Sequence, residues 1–62
     1  MIIKLQSAYD RAVVYVNMEH IKYFYKTLDI TYPGTTLVYT DGSSSKVKEF
    51  PEEIMGIMED KR

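Results

Sequence analysis

The sequence predicts an α+β fold: a small antiparallel sheet of about five short strands with a short C-terminal helix. Three observations predict it. Apolar and polar residues alternate with a period of two in several short windows before position 50, the pattern of half-buried strands. Turn-forming Asp, Asn, Pro and Gly residues separate those windows. After Pro51 the apolar spacing changes to three and four, the period of a helix. The 62 residues suffice for one small domain, 1–62.

Ile3 and Leu5 alternate with Lys4 and Gln6, giving a first strand. Tyr9-Asp10-Arg11 reads as a turn. Val13-Val14-Tyr15-Val16 is β-branched and aromatic, which favours a second strand and a hairpin with the first. Asn17 then predicts a break, because its side chain can bond the backbone two or three residues on. In Ile21 to Lys26 strict alternation puts Ile21, Tyr23 and Tyr25 on one face and Lys22, Phe24 and Lys26 on the other. A bulge would instead bring Ile21 and Phe24 together.

Pro33-Gly34 matches the central pair of a type II turn, proline fixing φ and glycine taking the positive φ. Leu37-Val38-Tyr39 forms the next strand and Asp41-Gly42 a hairpin turn. Ser45 to Phe50 is the last strand, with Val47 inward and Lys46 and Lys48 outward. Pro51 fits the first helical position, where its missing N–H costs nothing. Glu52 and Glu53 suit the dipole of the first turn, and Lys61-Arg62 the last. Ile54, Ile57 and Met58 make an apolar stripe that Met55 widens.

A chain this small buries only about 60% of the surface its unfolded form exposes. It has no cysteine and one histidine, so neither disulfides nor thiolate or multi-histidine metal sites can staple it. The candidate core is Ile3, Leu5, Val14, Val16, Ile21, Phe24, Leu37, Val47, Ile54 and Ile57, barely one layer. Six tyrosines, each with an apolar body and a polar tip, are the remaining means of closing a surface. They predict self-association into a homo-oligomer.

Eight basic against nine acidic residues give a net charge of −1, and so no field to gather nucleic acid or anionic lipid. No apolar run approaches the ~20 residues of a membrane span. The first residues carry no secretory signal pattern, so the expected location is cytoplasmic. His20 beside Glu19 lacks a placed partner for acid–base work. Ser43, Ser44 and Ser45 lack a base. The three glycines are too dispersed for a phosphate cradle. No catalytic, cofactor-binding or metal-ligating residues are expected, and no cofactor.

Lys22-Tyr23-Phe24-Tyr25-Lys26 interleaves aromatics with lysines, which suits a stacking platform for single-stranded nucleic acid. Residues 1–50 hold only six basic against five acidic residues, which argues against that use. Tyrosine is enriched in protein interfaces, with lysine at the rim. The candidate partner-binding residues are therefore Tyr15, Lys22, Tyr23, Tyr25, Tyr39, Met55 and Met58, for a protein partner of unassigned identity. A small inhibitor of a host protein, encoded by a mobile element, fits the same features.

The order of these segments resembles the FlbD-like (SwrD-like) small flagellar and swarming-motility proteins of bacteria. The resemblance rests on Asn17, Ile21, Gly42 and the Val47-Lys48-Glu49 run. Met18 stands where that family has a proline, and Tyr9-Asp10-Arg11 where it has a glycine turn. The resemblance implies a non-enzymatic motility accessory protein and supplies no catalytic residues.

Overall fold

The computed structural model describes residues 1–60. In chain order they form β1 (Ile2–Gln6), β2 (Val13–Asn17), a 3-10 turn (Met18–His20), β3 (Ile21–Lys26), β4 (Thr35–Tyr39), β5 (Ser44–Val47) and α1 (Pro51–Asp60). Lys61 and Arg62, expected to complement the helix dipole, lie outside the described residues.

β1 and β2 pair antiparallel, with Ile3 opposite Val16 and Leu5 opposite Val14, so their apolar side chains share one face. The turn between them is held by Arg11 N donating to Ser7 O at 2.9 Å and Ala12 N donating to Asp10 Oδ1 at 3.0 Å. Arg11 takes φ 61°, the left-handed region. The break at Asn17 forms as its chemistry dictates: Asn17 Oδ1 accepts from Glu19 N at 3.1 Å and starts the 3-10 turn.

β3, β4 and β5 form an antiparallel meander in that order. A register shift between Ile21 and Tyr23 gives β3 the bulge rather than strict alternation. Ile21 and Phe24 both pack against the core, while Tyr23 and Tyr25 stay exposed. The physical reason is burial: a simple alternation would leave either the isoleucine or the phenylalanine in water.

The five strands thus fall in two sheets, of two and three strands. They are stitched where β1 ends and β5 ends. Ser7 bridges Val47, Ala8 N donates to Lys46 O at 3.1 Å, and Lys48 N donates to Gln6 O at 2.9 Å. This stitch ends the last strand at Val47, short of the expected Phe50, because Lys48 turns its backbone to β1 instead of continuing beside β4.

Pro33-Gly34 is also corrected. No hydrogen-bonded turn forms there; residues 30–34 follow a bent path. Gly34 has φ 142° and lies against β5: a Cβ there would fall on the Val47 carbonyl oxygen and 2.9 Å from Lys48 Cα. Glycine is required for close approach as well as for φ.

Both sheets and the helix feed one core of Ile3, Leu5, Val16, Leu37, Val47 and Ile54. Burying each such side chain is worth about 1.5–3 kcal/mol. Met18 and Met58 join Val14, Ile21, Phe24 and Ile57 at its margin. α1 packs on β3 and contributes Ile54 as its buried residue. Its first turn carries Glu52 and Glu53, as the dipole favours.

Candidate functional site: two tyrosine surfaces

The candidate residues separate into three places. Tyr23 and Tyr25 sit two positions apart on β3, so their rings leave the same face of the strand. The rings stack at 6.2 Å between centroids with 27° between planes. They are 53% and 48% exposed, which leaves about half of each ring for another surface. Lys22 is exposed beside them. Lys26, at the other end of β3, is engaged with its ammonium 5.8 Å from the Phe50 ring centroid. β3 is the outer strand of its sheet, so one backbone edge has no partner within that sheet.

Tyr15 and Tyr39 belong to a second place, a groove of about 350 Å³ between the two sheets. Val14, Val16 and Val47 give it apolar walls, and Ser7, Ser44 and Ser45 give it hydroxyls. Tyr39 Oη donates to Ser45 Oγ at 3.0 Å, which fixes the half-buried ring at the groove wall. Tyr15 is 72% exposed at the rim. Tyr9, which the sequence reading did not select, also lines the groove and packs on Tyr32, ring centroids 4.7 Å apart. Lys46 supplies the groove's cation. The groove offers neutral hydroxyls on an apolar base. His20, the chain's single imidazole, sits in the 3-10 turn and does not line it.

Met55 and Met58 form the third place, on α1. Met55 is 55% exposed, whereas Met58 is half-buried against the core margin. The structure therefore does not assemble all seven residues into one patch.

Two large hydrophobic side chains outside that set are more exposed than its tyrosines and methionines. Leu28 is 90% and Ile30 94% exposed, in the loop between β3 and β4. Two aliphatics beside Pro33-Gly34, in a segment without strand or helix period, are the signal that marks them in the sequence.

Buried polar groups help hold the sheets. Thr35 Oγ1 donates to Glu49 O at 2.6 Å, and the Thr27 and Thr36 hydroxyls share a hydrogen bond at 2.9 Å. Asp41, at the exposed β4–β5 turn, has its pKa lowered by the Ser43 hydroxyl and then by the Ser43 amide, both donating to its Oδ1. Among the described residues no group of three or more His, Asp or Glu could hold a metal ion. Nor is any helix among them long and apolar enough to cross a membrane. Comparison with family models, with curated proteins and with solved structures finds no match.

Proposed function

We propose that this chain is a small non-enzymatic protein-interaction module that works in the cytoplasm. It docks on a protein partner through the Tyr23–Tyr25 face of β3, and it also self-associates. A bacterial motility accessory role is what the resemblance to the FlbD-like proteins adds. The observation that carries the reading is the stacked, half-exposed ring pair on an outer strand with Lys22 beside it. Rings held in place by each other lose little freedom on docking and supply much area, which is why tyrosine anchors interfaces.

The test is the double substitution Tyr23→Ala and Tyr25→Ala. Both rings point away from the core, so circular dichroism should show an intact fold. Capture of a crosslinked cellular partner should fall. Retention of that capture in a folded double variant overturns the reading.

A second reading draws on the same ring pair: single-stranded nucleic acid stacked on Tyr23 and Tyr25, with Lys22 and Lys26 on the phosphates. The engagement of Lys26 with Phe50 weighs against it. Titration with labelled oligonucleotides at low and high salt decides between the two, since phosphate contacts must weaken as salt rises.

A further inference from the structure

The loop from Leu28 to Pro33 is tethered, and it presents aliphatic side chains to water. Thr27 N donates to Gly34 O at 2.9 Å and closes its neck. Asp29 Oδ1 accepts from Thr31 N at 2.8 Å and shapes its tip. Tyr32 packs on Tyr9, and Asp29 Oδ2 lies 3.8 Å from Lys46 Nζ. Leu28 and Ile30 nevertheless stand 90% and 94% exposed on either side of Asp29. Their exposure belongs to a shaped loop, so the entropy of ordering a docking tip is already spent.

The last two tethers lead to the groove. Tyr9 and Lys46 both line it. An apolar tip and an apolar groove therefore lie side by side on one surface. That juxtaposition lets a two-fold axis seat each tip in the other copy's groove and close as a dimer, with no open end to propagate.

We propose that this chain dimerises by reciprocal exchange, Leu28 and Ile30 of each copy entering the Tyr39–Ser45 groove of the other. The occupant fits by volume. Leu28 and Ile30 carry eight side-chain carbons between them. The groove offers about 350 Å³. It fits by charge as well. Asp29 lies between the two aliphatics and Lys46 lines the groove, so a tip that gives up its own 3.8 Å pair meets the same cation in the other copy.

The area sets the strength. A standard interface takes about 800 Å² from each partner, close to a fifth of this chain's 4394 Å². Two aliphatic side chains with a tyrosine and lysine border supply only part of that. The dimer is accordingly a weak one, with a dissociation constant in the range of about 1 µM to 1 mM.

This inference rests on the self-association in the proposed function and differs from it in the surface used. The experiment is sedimentation equilibrium of the full chain and of Leu28→Ser/Ile30→Ser, alongside Tyr23→Ala/Tyr25→Ala. The loop variant removes side chains that touch almost nothing, so its thermal midpoint should be unchanged. Its dissociation constant should rise about 100-fold. Ser45→Phe, which fills the groove, should abolish homodimers in the same way. Mixed with the loop variant it should restore half of the contact, one tip in one groove. A dimer that persists in the loop variant and disappears in the tyrosine variant overturns the exchange and leaves the proposed function standing. A wild-type monomer at every concentration overturns both forms of self-association. Loop-dependent binding of the wild-type monomer to anionic vesicles would assign the tip to lipid and overturn the exchange as well.

Discussion

The Gln6 amide donates to Glu49 Oε1 at 3.1 Å, joining residues 43 positions apart. One residue earlier, the Lys48 amide returns a bond to Gln6 O. The end of β1 is thereby fastened to the segment that leads into α1, and Glu49 is almost wholly buried, at 9% exposure. Glu49→Ala should remove about 1–3 kcal/mol, the usual cost of leaving a buried N–H without its acceptor. Glu49→Gln keeps an acceptor oxygen and should lose less. Urea midpoints at constant slope give both values.

The three glycines should answer alanine in three ways. Gly34→Ala meets backbone on β5 at a φ that disfavours side chains, so a loss of about 2 kcal/mol or more is expected. Gly42→Ala has open space but φ 92°, and should cost about 1 kcal/mol from backbone strain alone. Gly56→Ala lies in α1 with nothing within 4 Å, and should stabilise by about 1 kcal/mol through helix propensity. Thermal midpoints of the three variants give the order.

On α1, Ile54 and Met55 are neighbours with opposite roles. Ile54 is fully buried in the core and Met55 is 55% exposed. Ile54→Ala should cost about 2–5 kcal/mol, enough to undock a ten-residue helix that is marginal alone. Met55→Ala should stay within about 0.5 kcal/mol. Helical ellipticity near 222 nm, followed through denaturation, separates the two.

Asp41 provides the pH dependence. Its carboxylate is stabilised by the Ser43 hydroxyl and amide, so its folded pKa lies below the ordinary aspartate value. The stability this adds is present above the unfolded pKa and is lost as pH falls through the folded one. Carboxyl-carbon NMR should show Asp41 titrating below the ordinary aspartate value. Ser43→Ala should raise its pKa part of the way back, the amide bond being retained.

Much of the fold was legible because its signals act over a few residues. The Asn17 break, the Asp41-Gly42 hairpin and the Pro51 helix start depend on side chains bonding or shaping their own backbone. The candidate site was legible only by residue type. Tyr23 and Tyr25 read as one surface because a strand's period places them together. Tyr15 and Tyr39 read as part of the same surface, yet they line a separate groove. Leu28 and Ile30 lie in no strand or helix window, and only their aliphatic type in a loop segment marks them.

By itself, then, the sequence determined the α+β class, the strand windows, the turns and the apolar stripe of α1, all products of local periodicity and backbone chemistry. The tertiary structure alone decided the split into two sheets, the stitch of β1 to β5, the early end of β5, the closeness that demands glycine at 34, and the pairing of an exposed tip with a groove. Those features depend on partners tens of residues apart. Which of them meet is settled by which arrangement buries Ile3, Leu5, Val16, Leu37, Val47 and Ile54 together while leaving buried polar groups bonded.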